Sequence, residues 1–110
     1  MLDLARIVGF DWDAGNDRKN LDKHSVSQAE AERVFECREL LVNEDIEHSA
    51  TEARFQALGE TPDGRKLHVT FTLRGNGTLI RVVSARDMNA KERNVYAKAA
   101  KADSSVQNRG

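Results

Sequence analysis

At 110 residues, 39% of them hydrophobic and 32% charged, the chain has the size and composition of one soluble globular domain rather than of a disordered segment. It has no apolar run near the roughly 20 residues of a membrane span, and its single cysteine, Cys37, excludes an intramolecular disulfide and a cysteine-built zinc cage. The net charge of −1 argues against indiscriminate nucleic-acid binding, yet residues 1–53 hold 13 acidic and 6 basic side chains while residues 54–101 hold 4 and 10. That asymmetry suggests an anionic partner for the basic half, or solvated surface that segregates along the chain.

Ile7 to Trp12 reads as a short first strand. Asp13 can cap a helix running to about His24, and with Leu21 as its one large aliphatic residue this helix belongs on the surface. Ser27-Gln28-Ala29-Glu30 is a capping box, with Val26 and Ala31 placed to form a hydrophobic staple. A second helix follows to about Cys37, with Ala31, Val34 and Phe35 on one face.

The period then changes from helical to alternating. Leu40 to Val42 and Ala53 to Leu58 read as strands, and Thr61-Pro62-Asp63-Gly64 as a turn. Leu67 to Leu73 is the clearest strand: Leu67, Val69, Phe71 and Leu73 share one side, His68, Thr70 and Thr72 the other. Gly75-Asn76-Gly77 is a tight hairpin turn into a strand from Thr78 to Ser84. Asn89 can cap a last helix, with Glu92 at its third position, reaching about Lys101. The order predicts an α+β fold, with two N-terminal helices and one C-terminal helix packed on a twisted antiparallel sheet. Residues 1–101 form one domain in this reading, and the polar residues 102–110 a flexible tail.

Four segments resemble the BrnT family. They are Phe10-Asp11-Trp12-Asp13 with Asn20-Leu21-Asp22-Lys23-His24-Ser25-Val26-Ser27; Glu30-Ala31 through Val34-Phe35; Glu52-Ala53-Arg54-Phe55 ending in Leu58-Gly59; and Ile80-Arg81-Val82-Val83-Ser84-Ala85-Arg86 with Glu92-Arg93 and Tyr96 behind it. They occur in the family's order from residue 10 to about 96. Ser25 departs from the pattern, which has glycine there, and a left-handed turn at that point strains a serine. The resemblance implies a RelE-like fold and a metal-independent ribonuclease toxin of a type II toxin–antitoxin system. It also implies neutralisation by a BrnA-type ribbon-helix-helix antitoxin and contact with operator DNA only through that antitoxin. No membrane association is implied, and with no secretory signal in view the cytoplasm is the expected compartment. The alternative is a non-catalytic interaction module that binds such a partner or nucleic acid without cleaving it.

Metal-free RNA cleavage needs a base for the 2′-hydroxyl, an acid for the leaving 5′-oxygen, and cations around the phosphorane. His24 can be base or acid, or simply a helix C-terminal cap, and Lys23 adds a positive charge or is an exposed helix lysine. Arg54 and Arg86, on or at the ends of strands, can fork onto phosphate oxygens or remain solvated. The resemblance weights His24, Arg54 and Arg86 toward catalysis, with Lys23 at the rim of the same site. Trp12 and Tyr96 offer rings for base stacking, although such rings more often belong to a core. Arg81, alternating with Ile80 and Val82, faces away from the core, and Arg65, Lys66 and Arg74 can track the RNA backbone. His24, His48 and His68 show no ligand spacing, so no metal and no cofactor are expected.

Overall fold

The computed structural model describes residues 4–12, 25–45 and 52–109, with side chains through Ala99. Among these residues a five-stranded sheet carries the fold, in the order β1-β5-β4-β3-β2. The strands are β1 (Gly9–Phe10), β2 (Leu41–Glu44), β3 (Arg54–Glu60), β4 (Lys66–Arg74) and β5 (Leu79–Asp87), and the helices are α1 (Gln28–Val34) and α2 (Ala90–Arg109). The architecture is α+β, as expected. One described α-helix, not two, precedes the β2–β5 strands, and a short 3-10 helix at Leu4–Arg6 precedes β1; the helix expected from Asp13 to about His24 lies outside the described residues.

The capping box forms as read. The Ser27 hydroxyl accepts from the Glu30 amide at 3.1 Å, and the Glu30 carboxylate accepts from the Ser27 amide at 3.0 Å. Val26 and Ala31 are both buried, which closes the staple. Helix α1 stops at Val34, three residues short of the expected end, because the amides of Phe35, Glu36 and Cys37 turn back to carbonyls three residues earlier. At the other end of the chain α2 runs on past Lys101 to Arg109.

Strands β2 to β5 form the expected antiparallel meander. The edge does not follow: β1 shrinks to two residues and pairs parallel with β5, Gly9 opposite Leu79 and Phe10 opposite Ile80. Neighbours joined by a tight turn must run antiparallel, and β1 has no such tether to β5. The turn between β4 and β5 needs left-handed backbone at three successive residues, φ +59° at Gly75, +57° at Asn76 and +86° at Gly77. Two of the three are glycine and the third is the residue that best tolerates it otherwise.

Cross-strand neighbours share a face. On one face Phe55 and Ala57 of β3, Leu67, Val69 and Phe71 of β4, and Ile80, Val82 and Ala85 of β5 pack against Val26, Ala31 and Val34. Phe71 is fully buried between the ring of Phe55 (centroids 5.4 Å apart, stacked) and that of Phe35 (5.1 Å, edge-on). Gly59 lets α1 approach: a Cβ there would lie 2.8 Å from Val34 Cγ1. On the other face a smaller cluster of Leu58, Met88 and Tyr96, flanked by Leu41, seats α2 over one end of the sheet.

Candidate active site on the polar face of the sheet

Beyond the α2 cluster the second face is polar, and strand register arranges it in rows. Arg54, Thr72 and Arg81 form one row across β3, β4 and β5; Gln56, Thr70 and Ser84 the next; Leu58, His68 and Arg86 the third. A bulge in β5 makes this possible. Thr70 pairs with Ser84 and Phe71 with Val82, so Val83 has no opposite number. Arg81 and Arg86 are five positions apart and would face opposite ways on a regular strand. The extra residue turns both onto the polar face and keeps both Val82 and Ala85 in the core.

Arg86 is held by a carboxylate rather than poised in solvent. Its Nη1 and Nη2 donate to Oε1 and Oε2 of Glu92 at 2.8 and 2.9 Å, and Nη1 also donates to the Asp87 carbonyl at 3.1 Å. Among the described residues three of its five guanidinium N–H groups are engaged. Glu92 is fixed in turn by the N-terminus of α2: its amide donates to Asn89 Oδ1 at 2.8 Å and its Oε1 accepts from the Asn89 amide at 3.0 Å. One carboxylate thus closes the helix cap and orients the arginine. Arg86, and then the Asn89 amide, hold it below the usual carboxylate range. His68 Nε2 lies 3.7 Å from Glu92 Oε2 and is buried, and burial pushes its pKa below the ordinary value although Glu92 pulls the other way.

Four other cations of the basic half are also paired, three of them with carboxylates of the acidic half. Arg65 bonds Glu30 at 3.0 Å and Asp87 at 2.8 Å, Arg74 donates to Glu52, and Arg81 lies 3.8 Å from Asp11. The Thr72 hydroxyl and then Arg74 keep Glu52 below its ordinary pKa. Lys66 lies 3.8 Å from Glu60, at the surface. Among the described residues the charge division along the sequence is thus bridged at three points, Arg65–Glu30, Arg74–Glu52 and Arg81–Asp11.

The two rings expected to stack on bases do not lie ready for it. Tyr96 is 2% exposed, with its hydroxyl 3.3 Å from Cys37 Sγ, and burial raises its pKa. It is a core residue. Trp12 packs against the cluster on the α1 side and donates its indole N–H to Glu32 at 2.7 Å, away from the arginine rows.

The sequence matches the family described as "Ribonuclease toxin, BrnT, of type II toxin-antitoxin system" over residues 12–92. The chain belongs to the BrnT family. Its fold is similar to that of the Brucella abortus ribonuclease toxin BrnT, known from a 1.1 Å crystal structure, with a TM-score of 0.57 and 23% sequence identity. The likeness covers 74% of this chain and 97% of that one. No curated protein matches the chain in sequence.

Within this BrnT-family chain, the expected catalytic residues fall into three groups. Lys23 and His24 lie outside the described residues. Arg86 is on the polar face at the foot of α2. Arg54 shares that face but sits two rows and two strands from Arg86, roughly 16 Å between Cα positions by strand geometry. Arg81, expected as an RNA-binding side chain facing away from the core, is the nearer companion of Arg54. Residue chemistry had marked neither Glu92 nor His68 as part of this group. The signal for Glu92 was present in Asn89-x-x-Glu92, which announces a capping carboxylate next to the end of β5. His68 carried no signal beyond its alternation with Leu67 and Val69.

Proposed function

We propose that this chain is a metal-independent endoribonuclease that acts as the toxin of a type II toxin–antitoxin pair. The observation that carries the reading is the gathering of Arg54, Arg81 and Arg86 on one polar sheet face, with Glu92 orienting Arg86. Family membership supports it. The reaction suited to such a face is transfer of the phosphoryl bond within RNA. A base removes the 2′-hydroxyl proton, the 2′-oxygen bonds to phosphorus, the P–O5′ bond breaks, and an acid protonates the departing 5′-oxygen. The products are a 2′,3′-cyclic phosphate and a 5′-hydroxyl. Arg86 would stabilise the phosphorane through its guanidinium, and Arg54 and Arg81 would hold a neighbouring phosphate. His24, with Lys23 beside it, is the proposed proton-transfer group, in the role the family resemblance gives it.

The ion pairs on this face do not oppose the reading. Surface pairs are worth about 0–1 kcal/mol, so a phosphate can displace Asp11 from Arg81 at small cost while the half-buried Glu92 stays on Arg86. The same logic suits inhibition. A BrnA-type ribbon-helix-helix antitoxin would cover the face with its own carboxylates, and operator DNA would be bound through the antitoxin alone. No helix among the described residues is long and apolar enough to cross a membrane, and we place the toxin in the cytoplasm with its RNA. The test is cleavage of a labelled RNA by the purified protein. Activity should survive EDTA, leave a 2′,3′-cyclic end, and disappear when the antitoxin is saturating. RNA binding without cleavage, or cleavage abolished by EDTA and restored by magnesium, would sink the scheme.

A further inference from the structure

His68 occupies a place where packing alone does not call for a histidine. It stands in the middle of the row Leu58-His68-Arg86 and is 6% exposed. Its Nδ1 is buried and has no hydrogen-bond partner on another described residue, a cost that an apolar side chain would avoid. The other ring nitrogen faces charge. Nε2 lies 3.7 Å from Glu92 Oε2, too far for a hydrogen bond but close enough for an ion pair once the ring is protonated.

The two oxygens of Glu92 are held unequally. Oε1 accepts from Arg86 Nη1 at 2.8 Å and from the Asn89 amide at 3.0 Å. Oε2, the oxygen of the His68 contact, accepts from Arg86 Nη2 at 2.9 Å. Among the described residues the carboxylate is thus pinned twice at Oε1 and once at Oε2. Three charged groups bear on the ring: Glu92 from α2, Arg86 from β5, and Asp45 just beyond β2. The residue opposite on β3 is Leu58, which brings no charge. Burial outweighs the two carboxylates and leaves the ring uncharged at neutral pH. An uncharged ring does not compete for Oε2. A protonated one does, and it also sets a second positive charge beside Arg86.

We propose that His68 is a positioning residue for Arg86: uncharged, it leaves Glu92 to the guanidinium, and protonated, it draws Oε2 away and opens the fork. The proposal rests on the ribonuclease reading above and adds a regulation to it, an arginine seated at neutral pH and loosened in acid. The ring takes one proton from solvent, and the hydrogen bond from Arg86 Nη2 to Oε2 is exchanged for one donated by His68 Nε2. Oε1 stays on the cap of α2 throughout, so the carboxylate pivots without the helix moving.

The test measures RNA cleavage from pH 8 to pH 5 in wild type and His68→Gln, each kcat expressed relative to its own value at pH 8. Glutamine cannot take the charge. The proton-transfer groups shape both profiles alike, so the difference between them belongs to His68. Between pH 7 and pH 5 the wild type should lose about tenfold more of its kcat than the variant does, with KM within about threefold, because the loosened donor serves the transition state. Nuclear magnetic resonance on the folded protein supplies the structural arm. The His68 ring and the Arg86 guanidinium signals should titrate together, and in Glu92→Gln the ring should take its proton at lower pH. Parallel profiles in wild type and His68→Gln overturn the proposal. So does a ring that stays uncharged until the chain unfolds, or a guanidinium signal that stays still while the ring titrates. If the wild type fails to cleave RNA, the ribonuclease reading falls by itself, and the coupled titration alone decides whether His68 releases Arg86.

Discussion

The two faces of the sheet are built from the same strands and do opposite work. Against α1 the inward positions from Phe55 to Ala85 are apolar and, the half-buried Leu73 apart, buried, and each large side chain so placed contributes about 1.5–3 kcal/mol. On the other face α2 covers one end, and the remaining rows hold arginine, glutamine, threonine, serine and histidine, most of them only half-buried. Their ion pairs contribute little to stability. Strand alternation lets one meander carry a core and a polar, arginine-bearing face at once, so the two should be separable by substitution.

That separation can be broken most heavily from the core side. Phe71→Ala empties the space between Phe35 and Phe55 and should cost about 3–5 kcal/mol, a large part of the stability of a domain this size. Urea unfolding measures it, and a loss under 1 kcal/mol would mean that the aromatic cluster is not the keystone described. Arg86→Ala should do the reverse, lowering RNA turnover by about 10²–10³-fold while shifting the urea midpoint far less than Phe71→Ala. Arg86→Lys should fall between, because charge survives but the fork to Glu92 does not. Equal turnover in both variants would reduce Arg86 to a point charge.

A gentler probe lies where the faces share a residue. His68 is buried on the polar side with its pKa depressed, so below about pH 6.5 the unfolded chain takes up a proton that the folded protein resists. Stability should fall as pH drops from 7 toward 5, and His68→Gln should flatten that slope. Below that range the paired Glu30, Glu52 and Glu92, all held low, lose their contributions as pH falls through their folded values. A slope unchanged in His68→Gln would place the acid sensitivity elsewhere. The smallest effect belongs to Ser25→Gly, which relieves the left-handed strain and should raise stability by about 0.5–1 kcal/mol in thermal melts.

Much of the fold was legible because it is local. The capping box at Ser27, the alternation from Leu67 to Leu73 and the glycine turn at 75–77 each declare themselves within a few residues, and all are present. Failures came where the deciding contact is remote. Period-2 alternation says which residues share a face of one strand, but not which row they occupy across strands, so the separation of Arg54 from Arg86 was invisible. The parallel edge depends on β5, some 70 positions downstream in register from β1. The pairing of Asp11, Glu30 and Glu52 with Arg81, Arg65 and Arg74 likewise needs the folded chain. The apparent charge segregation was read as a surface for others when much of it is complementarity within the molecule.

The bulge at Val83 gives β5 two frames. Up to Val82 the even-numbered residues point to the core, and from Ala85 onward the odd-numbered ones do. Removing Val83 would merge the frames, and either Arg81 or Arg86 would then be driven among the aromatic rings. The side chain at 83 matters little to this arrangement; the single extra peptide unit matters a great deal. In this strand length is under tighter constraint than identity, and a chain one residue shorter would have to surrender either an arginine from its polar face or a valine from its core.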